Sequence, residues 1–312
     1  MLLALVLTAV PVELRVDSAA LLAPTTNQPV GALSSVRVTA ESWTSPTVFL
    51  ARHESAAIEV TARVDLSREG TYVEAVAAQD VTLTGTGAWL VVLKKGAQVP
   101  LVGHVPEGLR VGFKREHFAV TPYATIPDVT RPVPPAEGPD EECLVTTMYA
   151  RAEPDAPSWK LASFATTVHR GTSVGGWSPA WAEGLSTIVH GFVRVADVVC
   201  GVGSGGGLGL SGIGTGSGDG MVEAQAATLP QGTRLFASEK DTVPLATLKT
   251  KAEGLKLKDG TWRINSVRSG SGWVRFSNVY LGKDARVTLG PLGTHGVGSS
   301  IAHHDGWPRF KK

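Results

Sequence analysis

Apolar and polar residues alternate in short runs along much of this chain, with the period of a strand. Ser35-Val36-Arg37-Val38-Thr39 and Ile58-Glu59-Val60-Thr61-Ala62-Arg63-Val64 are the clearest cases. Each puts its apolar side chains on one face, as a half-buried strand requires. No long run carries apolar residues at i, i+3, i+4 and i+7, the helical spacing. Val, Thr and Gly dominate, and turn residues punctuate the runs. The pattern predicts an all-β chain.

Four stretches follow one template: a short strand, a polar turn, another strand and a closing apolar strand. The clearest copy, residues 144–199, carries Met148-Tyr149-Ala150-Arg151-Ala152-Glu153-Pro154-Asp155-Ala156-Pro157 near its start. It closes with Gly191-Phe192-Val193-Arg194-Val195-Ala196-Asp197-Val198. Residues 222–283 carry Leu235-Phe236-Ala237-Ser238-Glu239-Lys240-Asp241-Thr242-Val243-Pro244 and close with Gly272-Trp273-Val274-Arg275-Phe276. A repeated unit of this size points to a string of small binding modules. A catalytic domain would ordinarily need one large core and a single cleft.

The expected order is a module over residues 11–74, a second and least regular one over 75–121, a third over 143–200 and a fourth over 221–283. Residues 122–142 hold six prolines and an acidic end, which predicts a semi-rigid spacer. Residues 201–220 hold eleven glycines, which predicts a flexible one. The tail, 284–312, suggests no fold. Residues 1–10 match the apolar core of a secretory signal peptide, the alternative being a first strand. That run is too short to span a bilayer, and no later segment is apolar enough to do so.

Net charge is +1, but it is unevenly spread. Residues 11–74 carry five Arg and no Lys against eight acids, whereas 222–283 carry ten Lys and Arg against five. The basic end reads as ordinary surface variation or as a face for an anionic polymer. With no arginine-rich arm or aromatic RNA-binding motif, no nucleic-acid partner is expected. Cys143 and Cys200 sit just outside the ends of the best repeat. In a small barrel the first and last strands pair, so these cysteines would meet in a disulfide, a bond that persists outside the cytoplasm. Two free buried thiols are the alternative.

The units resemble bacterial SH3-like (SH3b) domains, small barrels common in exported cell-envelope proteins. The resemblance rests on Met148-Tyr149-Ala150-Arg151 followed by Pro154 and Pro157, and on Gly171-Thr172-Ser173-Val174-Gly175-Gly176-Trp177. It rests also on the closing Gly191-Phe192-Val193 and Gly272-Trp273-Val274. It covers 143–283 well and 12–121 in part. The openings at Leu21-Leu22-Ala23 and Leu235-Phe236-Ala237 lack the Arg. The resemblance implies three to four tandem SH3-like barrels, each with an aromatic-lined groove between its long loops.

Catalytic chemistry finds little support in the residues. Cys143 follows Asp140-Glu141-Glu142, a context that opposes thiolate formation, and Cys200 precedes glycine-rich chain. The eight histidines are scattered, and adjacent His303-His304 in an extended tail point in opposite directions. Neither a carboxylate pair in an apolar setting nor a credible phosphate loop occurs. No catalytic residue, metal or cofactor is therefore expected. The candidate ligand-binding residues are Tyr149, Arg151, Trp159, Trp177, Trp181 and Trp262. Trp177 and Trp181, on either side of Pro179, suggest a loop presenting two indoles; Phe164, Phe192, Trp273 and Phe276 are assigned to cores. The expected protein is a non-catalytic, exported, periplasmic or extracellular binding protein of the bacterial envelope, with peptidoglycan or an envelope protein as partner. The alternatives are an assembly subunit of an envelope complex, or a cell-wall hydrolase whose catalytic region lies within 12–142.

Overall fold

The computed structural model describes residues 8–9, 12–113, 123–130, 141–160, 166–184, 186–200 and 219–298. Most of the expected signal peptide, the middle of the proline-rich stretch, nearly all of the glycine-rich stretch, Phe164 and His303-His304-Asp305 lie outside these residues. The described chain is all-β, built of antiparallel strands with one short 3-10 turn, Val195–Asp197. No helix among the described residues is long and apolar enough to cross a membrane.

The chain falls into two compact units. One comprises Met1–Val12, Ala75–Leu101 and Val105–Gly212; the other comprises Glu13–Glu74, Val102–His104 and Ile213–Lys312. Each unit thus joins two stretches that the repeat pattern assigns to separate modules.

In the second unit, Val12–Leu22, Pro29–Ser45, Val48–Glu54 and Ile58–Asp65 form an antiparallel meander. The expected alternation at 58–64 is present: Ile58, Val60, Ala62 and Val64 are buried and the residues between them are not. Ile58–Asp65 then pairs with Ala246–Leu248, which pairs with Arg234–Phe236, which pairs with Gly272–Leu281. Gly272–Leu281 pairs in turn with Pro29–Ser45, so the path of pairings returns to a strand of the meander. Phe49, Leu21, Leu22, Leu33, Leu235 and Phe276 fill the interior. Gly31 is needed where those two strands meet, because a Cβ there would lie 2.2 Å from the Arg275 carbonyl oxygen. Buried His53 ties the structure laterally: its ring nitrogens lie 2.7 Å from the Arg37 carbonyl and 2.7 Å from Ser269 Oγ. Trp262–Ser269, Ala252–Leu257, Asp219–Leu229 and Thr288–Gly298 continue the sheet. The tail without an expected fold therefore contributes an eleven-residue strand.

In the first unit, Glu141–Val145 pairs with Thr166–Arg170 on one side and with Val199–Cys200 on the other. Trp177–Glu183 lies between Thr166–Arg170 and Thr187–Arg194. Thr187–Arg194 also pairs with Thr147–Tyr149 and, from the expected second module, with Leu90–Leu93. Cys143 and Cys200 face one another in register and form the disulfide. Part of the expected spacer is ordered as a strand: Tyr123–Pro127 pairs along Gly108–Gly112, burying Ala124 and Ile126.

Candidate functional site

Strand pairing in the first unit brings two of the expected aromatics together. Gly175 and Gly176 both have positive φ, 60° and 82°, and form the two-residue turn that leads into Trp177–Glu183. Such a turn needs residues tolerant of positive φ at both central positions. Trp177 sits opposite Arg194 on the neighbouring strand. Its ring meets Tyr149 edge-on, with centroids 5.1 Å apart at 87°. The Arg194 guanidinium lies over both rings, 5.1 Å from the Tyr149 centroid and 5.3 Å from that of Trp177. Both rings are half-buried, so each presents an edge or face to solvent. An exposed cation–π contact contributes about 0.5–1 kcal/mol, enough to bias ring orientation.

Trp181 lies on the same strand and, by the period of two, on the same face as Trp177. This is a strand rather than the expected loop: Ser178, Ala180 and Ala182 point inward while Trp177, Pro179 and Trp181 are half-buried. Trp181 stacks on His169, its cross-strand partner, at 5.5 Å and 9°. His190, opposite Trp181 on the other side, has its pKa lowered from the usual histidine range by burial, and its Nε2 has no hydrogen-bond partner.

Three expected site residues are placed differently. Trp159 is buried at 6% exposure and packs edge-on against Trp89, so it is a core residue. Its strand, Ser158–Lys160, points one side chain inward between two outward ones. Arg151 is exposed and paired with Glu153 at 3.2 Å; the cation over the rings is Arg194. Trp262 is buried at 8%, whereas Trp273, assigned to a core, is 38% exposed. Parity explains the exchange: Val274 and Phe276 point inward, which turns Trp273 and Arg275 to the other face. Gly191-Phe192-Val193-Arg194 alternates regularly, but the role of Arg194 depends on its partner across the sheet, which its own strand does not encode.

Trp262 nevertheless lines a groove of about 1310 Å³ in the second unit, with Phe236 and Tyr280. Phe236 and Tyr280 are cross-strand partners. Among the described residues, Glu141, Cys143 and Cys200 have possible metal-ligand atoms close together. Both sulfurs are committed to the disulfide, and the Glu141 carboxylate accepts from Arg170 at 2.7 Å. No protein family, curated protein or solved structure matches this chain. The class that fold and site define is an all-β, disulfide-linked chain with a compact aromatic–cation face.

Proposed function

We propose that this chain is a non-catalytic, exported binding protein of a bacterial envelope, built from SH3-like units, with peptidoglycan or an envelope protein as ligand. The observation that carries the reading is the Tyr149–Trp177–Arg194 cluster: two rings and a cation held together on one face by strand register. Rings of this kind offer large, rigid contact area to peptides or sugar faces. The SH3-like reading draws support from residues 141–200, where the first and last strands pair and a 3-10 turn precedes the last. The disulfide supports an oxidising compartment.

The test is retention of the purified full chain on isolated peptidoglycan sacculi, beside Trp177→Ala and Arg194→Ala variants. Retention that Trp177→Ala abolishes and Arg194→Ala weakens supports wall binding through this face. Equal retention of all three refutes that assignment, and no retention of the parent turns the search to a protein ligand. The assembly reading is favoured by one observation: the stretches 29–65 and 234–281 share strand pairings, so neither is a free-standing module.

A further inference from the structure

The groove in the second unit has a chemistry of its own and shares no residue with the Tyr149 face. Its apolar lining combines the buried rings of Phe236 and Trp262 with half-buried Tyr280 and exposed Leu289. One wall is the loop after Phe236, which is ordered by its own hydrogen bonds. The Ser238 N–H donates to Asp241 Oδ2 at 2.9 Å, the Asp241 N–H to the Ser238 carbonyl at 3.3 Å, and the Lys240 N–H to Ser238 Oγ at 3.3 Å. A loop already ordered lowers the entropic cost of binding.

The charges around the groove divide cleanly. Arg234 is paired with Asp284 at 3.0 Å, and Asp241 is engaged with backbone. Lys240, Lys256 and Lys283 line the groove with no ion pair among the described residues, against one similarly unpaired acid, Glu239. Of the three lysines of the same stretch outside the groove, Lys249 is paired with Glu54 and Lys258 with Glu223, whereas Lys251 has no ion pair among the described residues. Three lysines without an ion pair among the described residues thus border the aromatic surface.

Size and sign narrow the ligand. The volume exceeds the roughly 300–1000 Å³ of small-molecule sites, which favours an extended chain. A uniform polyanion would meet the carboxylates of Glu239, Asp241 and Asp284 along the same walls. An extended peptide can place isolated carboxylates on the lysines and apolar side chains on the rings between them. We infer that the Phe236–Trp262–Tyr280 groove binds an acidic, partly apolar peptide segment of a protein partner.

The full chain is selected against a random dodecapeptide display library, and the enriched peptides are titrated by fluorescence anisotropy. Peptides with Asp or Glu flanking apolar residues are expected. Their affinity should fall roughly tenfold or more in Lys256→Glu/Lys283→Glu, which reverses one half-buried and one exposed lysine of the groove. Lys251→Glu, a single reversal at an exposed lysine outside the groove, should leave it within about twofold. Circular dichroism checks that the variants fold. The inference is overturned by absence of enrichment, by enriched peptides without acidic bias, or by equal losses in the groove and control variants. Hyaluronate, a carboxylated glycan, is the competing probe; tighter groove-dependent binding of hyaluronate than of any peptide overturns the peptide assignment.

Discussion

Gly191 is a position at which one added methyl group should be felt locally. It lies in Thr187–Arg194, which crosses close to the end of Thr147–Tyr149. A Cβ at 191 would lie 2.7 Å from the Tyr149 carbonyl oxygen, 3.0 Å from Trp89 Cζ3 and 3.3 Å from Met148 Cε. The first contact is with backbone, which cannot swing aside as a side chain does. Overpacking of this kind costs about 1–3 kcal/mol. Alanine returns about 0.5–1 kcal/mol, because glycine loses more conformational freedom on folding. The net expectation for Gly191→Ala is a destabilisation of about 1–2 kcal/mol, equivalent to a five- to thirtyfold change in the folded ratio. Hydrogen exchange resolved to peptides reads this locally. Amides of Thr147–Tyr149 and Thr187–Arg194 should lose that factor in protection. Gly293→Ala is the control: a Cβ there meets only His295 Nε2 at an ordinary 3.6 Å, so it should be neutral or slightly stabilising. If Gly191→Ala protects those amides as well as the parent does, the close approach of the two strands is not what requires glycine.

Three further outcomes follow from the same structure. Cys143→Ser/Cys200→Ser should lower stability in urea by about 4 kcal/mol, the chain-entropy value for a bond joining residues 57 apart, and no shift in midpoint would refute it. His53→Ala leaves buried Ser269 Oγ without its partner, costing about 1–3 kcal/mol, and removes the part-buried bond to the Arg37 carbonyl as well, so thermal unfolding should register a loss of several degrees. For His190, burial lowers the folded pKa below the ordinary 6.5. The unfolded chain therefore binds the proton first as pH falls, so this stability contribution is intact above about pH 6.5 and is lost as pH drops through the folded value. Urea midpoints between pH 7 and 5 should fall less steeply in His190→Asn; an unchanged slope would remove His190 as the cause.

Much of the local structure was legible in the residues. Alternation at 58–64 gave the strand and its inward face, and the placing of Cys143 and Cys200 gave the disulfide, because both depend on spacing along one stretch. The inward turn of Trp159 and Trp262 was legible as well. The parity of Ser158-Trp159-Lys160, and of Trp262 with Ile264, turns both indoles inward. Pairing between distant stretches was not legible in the same way. The strand at 58–65 meets 246–248, and 29–45 meets 272–281, yet nothing local in any of these runs names its partner. A strand with one apolar face fits many neighbours, and register is fixed only once both surfaces are present.

The closing Gly191-Phe192-Val193 and Gly272-Trp273-Val274 show what such a repeat encodes. A Cβ at Gly191 would collide with the carbonyl of Tyr149, from the same repeat unit. A Cβ at Gly272 would lie 2.3 Å from the Ser34 carbonyl oxygen and 2.4 Å from that of Ser35, from a stretch more than two hundred residues earlier. The shared glycine therefore answers one steric demand, a backbone approaching another backbone, with two different partners. The second residue of the motif is free to differ because it lies on the opposite face from the following Val, which is fully buried in both copies. Similar motifs thus specify similar local contacts without making each stretch an independent module.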